Sequence, residues 1–95
     1  MEKEFDYTIY PNNSPEQFKN ACTSIESAHP ELSKAKLLID VDGSTIQIYG
    51  EGSREIIVYD DYDVGAVYVI SDVDLSRVIT DYWDTHTRNY EKIAI

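Results

Sequence analysis

The sequence predicts one α+β domain, in which an antiparallel sheet of two hairpins and an N-terminal strand carries two helices on one face. Three observations support this fold class. The 95 residues suit a single domain, five short apolar runs are typical of strands, and two stretches have apolar residues at helical spacing. The predicted order is β-α-β-β-β-β-α. With both helices on one face of the sheet, every apolar stripe is covered.

The first strand and helix follow from local patterns at the N-terminus. Residues 5–9 alternate apolar and polar side chains, which predicts a strand that Pro11 ends. Ser14 is the expected N-cap, Pro15 fits the first helical position, and Gln17 completes a capping box. The helix should end at the His–Pro dipeptide near residue 30. Its apolar face is predicted to comprise Phe18, Ala21, Cys22 and Ile25.

A hairpin is predicted in the middle of the chain. Residues 37–41 and 44–49 are the two strands, and Asp42-Gly43 is a dipeptide favoured in two-residue type I′ turns. That turn would place Ile39 opposite Ile46. One face would then be aliphatic and face the helices, with the residues Leu37, Ile39, Val41, Ser44, Ile46 and Ile48. The other would be mostly polar, with Leu38, Asp40, Thr45, Gln47 and Tyr49.

A second hairpin and a second helix complete the fold. Residues 56–59 and 66–70 are strands joined by an acidic loop at 60–65. Residues 71–74 are predicted to open the second helix, because acidic groups are favoured in a first helical turn. The apolar stripe of this helix is predicted to contain Leu75, Val78, Ile79, Tyr82 and Trp83.

The composition restricts the classes of partner. Eighteen acidic and eight basic residues give a net charge of −10, which disfavours direct binding to nucleic acid or to anionic membranes. No apolar run reaches the length of a membrane span, and the N-terminus does not resemble a signal peptide. A single cysteine, Cys22, suggests a reducing cytoplasm. We expect a cytoplasmic monomer or weak dimer.

One short motif suggests chemistry. The residues Asp40-Val41-Asp42-Gly43-Ser44, after an apolar run, resemble the first motif of the haloacid-dehalogenase-like phosphatases. The resemblance covers five residues and implies an aspartate nucleophile with Mg²⁺. That family has a parallel, doubly wound sheet, whereas a strand follows the motif here at once. We therefore interpret the motif as a hairpin turn.

Other candidate catalytic or metal sites are weaker. Neither the stretch that begins at Asp40 nor the loop that begins at Asp60 has the ligand spacing of a calcium-binding EF-hand. His29 lies at a helix end and His86 late in the second helix, while Cys22 falls on an apolar helix face. We therefore expect no catalytic residue, no dedicated metal site, no cofactor and no enzyme activity. Weak binding of Ca²⁺ or Mg²⁺ by the acidic loop that begins at Asp60 stays open.

The charge itself is the strongest functional indication. Residues 37–76 hold nine acidic residues and one basic residue, so they carry −8 of the total −10. Carboxylates fixed on a rigid sheet can imitate a phosphate backbone, with tyrosines, including Tyr49 and Tyr68, as contact anchors. The predicted partner-binding residues are Asp40, Asp42, Glu51, Glu55, Tyr59, Asp60, Asp61, Tyr62, Asp63, Asp72 and Asp74.

Two functions from different classes remain open. The first is a non-catalytic inhibitor that mimics nucleic acid and occupies the basic cleft of a nuclease or another nucleic-acid-binding protein. Phage anti-defence proteins, such as anti-CRISPR proteins, and immunity proteins to nuclease toxins are settings for such a function. The alternative is a structural or adaptor protein. It would assemble with itself or with a larger complex through its sheet edge or its second helix.

Overall fold

The structure, a computed structural model, describes residues 5–78 of the chain. These residues form one antiparallel sheet of six strands and one α-helix, which confirms the α+β class. The strand order is β1-β6-β5-β4-β2, and β3 also pairs with β4. The elements are β1 (Phe5–Tyr10), α1 (Pro15–Ala28), β2 (Ser33–Lys34), β3 (Leu38–Ile39), β4 (Thr45–Glu51), β5 (Arg54–Asp61) and β6 (Ala66–Ser71).

The start of the predicted second helix is wrong. Ser71 ends β6, where it pairs with Phe5 and Ile56, and its backbone is therefore engaged in the sheet. Within the described part of the chain, the residues after it form turns and α1 is the one helix. Leu75 and Val78 of the predicted stripe do pack on the core. The stripe's other residues, Ile79, Tyr82 and Trp83, lie outside the described residues.

Helix α1 begins as predicted and Ser14 is its N-cap, but the second hydrogen bond of the predicted capping box is replaced by a bond to the sheet. Ser14 Oγ accepts a hydrogen bond from Gln17 N at 3.1 Å, and Pro15 is the first helical residue. The capping box is not completed by Gln17, whose buried Oε1 has no hydrogen-bond partner. Ser14 N donates to Asp60 Oδ1 instead, at 3.2 Å. A carboxylate is a stronger acceptor than an amide, and the sheet supplies one at this position.

The register of the first hairpin differs from the prediction by one residue. Leu38, not Ile39, pairs with Ile46. The connecting loop has three residues, because Asp40 N donates to Ser44 O at 2.8 Å and Gly43 N donates to Asp40 O at 3.0 Å. Gly43 has φ +94°, and no described non-glycine residue has positive φ, so a type I′ turn is excluded. The loop is a tight turn followed by a left-handed glycine.

This shift changes which residues of β4 face the helix, since neighbouring side chains in a strand point to opposite faces. Gln47 and Tyr49 are buried beneath α1, while Ile46 and Ile48 lie on the other side of the sheet and are half-buried. The predicted aliphatic face toward the helices is therefore wrong. Leu37, Ile39 and Val41, expected in that face, are exposed, as is Leu38.

The sheet has two dissimilar faces. The helix-covered face holds the core, in which Ile56, Val58 and Val69 of β5 and β6 are fully buried against α1. We call the opposite side the distal face. Strand pairing aligns two rows of side chains across it: Thr8, Tyr68, Tyr59, Ile46 and Leu38 in one, and Asp6, Ile70, Ile57 and Ile48 in the other. The polar face predicted on this side is thus largely apolar.

The described residues include no helix with the length and apolar character needed to cross a membrane.

Candidate partner-binding surface

The predicted acidic residues are divided between the two ends of the sheet. Because all strands are antiparallel, the loops at 40–44 and 61–65 lie at one end, and we call these two loops the tip. The turn between β4 and β5 and the segment after β6 lie at the other end. Strand β4 spans seven residues. At a rise of 3.2–3.4 Å per residue, the two ends are roughly 20 Å apart.

The two loops of the tip pack against each other. Tyr62 N donates a hydrogen bond to Ser44 Oγ at 2.8 Å. The Tyr62 ring lies over Gly43, so closely that a Cβ atom there would be 2.9 Å from Cε2 of the ring. Glycine is therefore required at residue 43 both for its φ and for this contact. The contact fixes the two acidic loops relative to each other.

The tip carboxylates are held by their own turns. Asp42 Oδ1 accepts from Ser44 N at 2.9 Å, and Asp61 Oδ1 accepts from Asp63 N at 2.9 Å. Tyr68 OH donates to Asp61 Oδ2 at 2.8 Å, and this hydrogen bond is the main cause that lowers the pKa of Asp61. No described residue forms an ion pair with Asp40, Asp42, Asp61 or Asp63. The tip therefore presents several carboxylates in a defined arrangement, without a cationic partner among residues 5–78.

Exposed apolar side chains surround these carboxylates. Val41 is 103% exposed, Val64 is 64% exposed and Tyr62 is 50% exposed. Six of the seven large hydrophobic side chains exposed among the described residues lie in 37–41 and 62–64. Such clustering is unusual on a protein surface and is typical of contact sites. Sequence reasoning missed Val41 and Val64: it placed the first in the core and gave no role to the second.

Asp60, one of the predicted partner-binding residues, is buried. It is only 3% exposed and points toward α1 rather than away from it. Its Oδ1 accepts from Asn13 Nδ2 at 3.1 Å and from Ser14 N at 3.2 Å. Asn13 Nδ2 also donates to the carbonyl of Asp61 at 2.8 Å. This carboxylate therefore joins the start of α1 to β5.

The carboxylates at the other end of the sheet have partners within the domain. Glu51 forms an exposed ion pair with Arg54 at 2.7 Å. Asp72 Oδ2 accepts from Glu55 N at 3.0 Å, which closes the backbone of β5 onto the chain after β6. Asp74 accepts from Ser76 N at 2.9 Å and from the hydroxyl of a β1 tyrosine, and these bonds lower its pKa.

The tyrosines expected as contact anchors have different environments. Tyr59 and Tyr68 stack on the distal face with ring centroids 4.7 Å apart. Tyr62 is exposed at the tip. Tyr49 is not available for contact, because it is 1% exposed in the core and its hydroxyl donates to Glu26 at 2.5 Å. Burial, followed by this bond, raises the pKa of Tyr49 far above its usual range.

The remaining candidate chemistry is poorly supported by the geometry. Within residues 5–78, no three His, Cys, Asp or Glu side chains come together to hold a metal ion. The phosphatase-like motif at 40–44 forms the hairpin loop described above. Cys22 borders a groove of about 470 Å³ between α1 and the β2–β4 edge, but burial raises the pKa of its thiol and makes it less reactive.

Comparison with protein-family models, curated proteins and solved structures found no match.

Proposed function

We propose that this chain is a non-catalytic binding protein whose tip inserts into a basic cleft of a partner protein. The observation that carries the proposal is the contact of Tyr62 with Gly43 and Ser44. This contact joins two loops that are far apart in sequence into one acidic surface. The surface is therefore pre-organised, and little entropy is lost when a partner binds.

The chemistry of the tip supports a partner with a basic, partly apolar site. Four carboxylates without described cationic partners attract a basic cleft and raise the association rate at low salt. Charge alone gives little net affinity, because desolvation offsets it. The exposed side chains of Val41, Tyr62 and Val64 add apolar and aromatic contacts of the kind that dominate binding energy.

A nucleic-acid-binding protein is the partner class that best fits this surface. Clefts that bind phosphates are lined by Lys and Arg, and carboxylates held on a rigid scaffold compete for the same groups. The chain would then act as a nucleic-acid mimic in the cytoplasm, as an inhibitor of a nuclease or a related protein. Phage anti-defence proteins, including anti-CRISPR proteins, and immunity proteins to nuclease toxins are two settings for such an inhibitor.

The test combines capture with competition. The chain, immobilised at low salt, should capture a basic protein that is released by added salt and by excess duplex DNA. The triple variant Asp40→Asn, Asp42→Asn, Asp63→Asn should weaken binding at least tenfold. Asparagine keeps the side-chain oxygen that Asp40 and Asp42 use in the turn. The loss therefore reports on charge and not on folding.

The matched control removes three charges elsewhere. Glu31→Gln, Glu51→Gln, Asp74→Asn changes three exposed acids at the opposite end of the sheet from the tip, so the net charge equals that of the tip variant. The affinity of this control variant for the captured partner should stay within about twofold of that of the unmodified chain. Equal weakening by both triple variants would show that only net charge matters, and a partner that DNA does not displace would contradict nucleic-acid mimicry.

Self-assembly through the sheet edge is a second candidate, favoured by the exposed aliphatic residues of β3. The shape of the edge formed by β2 and β3 disfavours such self-assembly. Ala35 N donates to Ile48 O, whereas Leu38 pairs with Ile46, so an extra residue bulges out between them. Bulged, short edge strands disfavour further pairing. A dimer that persists in light scattering at high salt would favour assembly over the first function.

A further inference from the structure

The distal face carries a continuous apolar surface that the core does not use. Four neighbouring strands supply it, and its large side chains are Leu38, Ile46, Ile48, Ile57, Tyr59, Tyr68 and Ile70. None of them belongs to the buried core cluster, which lies entirely on the helix-covered side. Strands β5 and β6 are thus apolar on both faces, a pattern typical of strands covered on both sides.

The border of this surface is acidic. Asp6, Glu55 and Asp61 occupy positions of β1 and β5 on the same face, while the distal positions of β1, β4, β5 and β6 include no Lys or Arg. Burial by neighbouring groups raises the pKa of Asp6, because its carboxylate is partly desolvated there, and within residues 5–78 no cation forms an ion pair with it. A ligand with positive charge beside an apolar centre complements this border.

The dimensions and the charge select one kind of occupant. The outermost of four adjacent strands lie about 14 Å apart, a distance that a helix of about ten residues spans. Two distal faces packed against each other would bring two acidic borders together, with Asp6 and Asp61 in each, which like-charge repulsion disfavours. An amphipathic helix with Lys or Arg beside its apolar stripe satisfies both the apolar rows and the acidic border.

We infer that the distal face is a docking site for a basic amphipathic helix of a partner protein, laid across β6, β5, β4 and β3. This site adjoins the tip, with which it shares Asp61, but it does not depend on the function proposed for the tip. The helix would bury the two rows of apolar side chains. Its cations would lie beside Asp6 and Asp61.

The chain offers an internal control for a binding experiment, because its isoleucines are divided between the two faces. A suitable probe is an 18-residue peptide of Leu and Lys in helical amphipathic order, titrated into the full chain with labelled Ile methyl groups. The methyl resonances of Ile46, Ile48, Ile57 and Ile70 should shift. Those of Ile9, Ile25 and Ile56, buried in the core between α1 and the sheet, should change little. This measurement needs no mutation, so it does not depend on a variant that folds.

Two variants of the chain then test whether the peptide binds at the distal face. Ile48→Thr with Ile57→Thr, a cross-strand pair, should weaken the peptide at least tenfold. The tip variant Asp40→Asn, Asp42→Asn, Asp63→Asn should leave its affinity within about twofold, so this test can fail without the tip proposal failing.

Three outcomes would overturn the inference. A scrambled peptide of the same composition that binds equally well would show general charge attraction. Contacts from residues 79–95 to the distal methyl groups in the free chain would show that the chain covers its own face. Distal methyl shifts that depend on protein concentration would show a second copy there.

Discussion

The two faces of the sheet are built from neighbouring residues of the same strands, yet one face is covered by α1 and the other is not. Ile56 and Val58 are fully buried beneath α1, whereas Ile57 and Tyr59, the residues between and after them, are half-buried on the distal face. Hydrophobicity does not distinguish the two sets. The difference is that Asp60 fixes the start of α1 on one side. This polar anchor, together with the apolar side of α1, holds the helix over the face that forms the core.

The largest expected effect tests this asymmetry directly with two adjacent isoleucines. Ile56→Ala should lower the free energy of unfolding by about 2–5 kcal/mol, because it leaves a cavity in a closely packed core. Ile57→Ala removes the same atoms from a half-buried position, and the expected loss is about 1 kcal/mol or less. Urea unfolding of the two variants measures both values. Equal losses would mean that the distal face is as tightly packed as the core.

A smaller effect tests the polar anchor. Asp60→Ala leaves Ser14 N without its acceptor and Asn13 Nδ2 with only the carbonyl of Asp61, and an unpaired donor away from water costs about 1–3 kcal/mol. Asp63→Ala, three residues further on and exposed, should change stability by less than about 0.5 kcal/mol. Thermal unfolding with amide exchange in the first turn of α1 measures the pair. Unchanged protection of that turn in Asp60→Ala would contradict the anchoring role.

The sequence predicted the parts of the fold that depend on local chemistry. Ser14 and Pro15 define the start of α1, and its apolar spacing correctly identifies Ala21, Cys22 and Ile25 as buried. The locations of β1, β4, β5 and β6 were also predictable, because β-branched and aromatic residues are concentrated there. Strand β2, which consists of Ser33 and Lys34, has no such residue and was not predicted. These features need only a few consecutive residues.

The features that were mispredicted depend on contacts between distant segments. The predicted register of the first hairpin was wrong by one residue, because a glycine in a left-handed conformation occurs in both two-residue and three-residue loops. That shift moved Ile46 and Ile48 to the distal face, where β5 and β6 supply equally apolar neighbours. The tip requires Tyr62 to meet Gly43, nineteen positions earlier. No local pattern contains that contact.

The smallest expected effect is the contribution of two shifted carboxyl pKa values to the stability of the fold, and it has opposite signs on the two sides of the sheet. Hydrogen bonds from Tyr49 and then Lys34 lower the pKa of Glu26 on α1, whereas burial raises the pKa of Asp6 on the distal face. A lowered carboxyl pKa stabilises the fold above the unfolded-state pKa, and this contribution is lost as pH falls through the folded value. A raised pKa instead destabilises the fold at neutral pH, and that penalty disappears as pH falls.

These signs predict opposite responses to two conservative substitutions. At pH 7, Glu26→Gln should lower the melting temperature and Asp6→Asn should raise it. Both differences should shrink as pH falls, and that of Asp6→Asn should shrink at the higher pH, because the pKa of Asp6 is raised and that of Glu26 is lowered. The corresponding change in the free energy of unfolding should stay within about 1 kcal/mol for each variant, since both side chains remain largely accessible to solvent. Melting curves between pH 3 and pH 7 measure them. A stabilising Asp6→Asn would also show that the distal face carries an uncompensated negative charge, as a docking site for a basic helix requires.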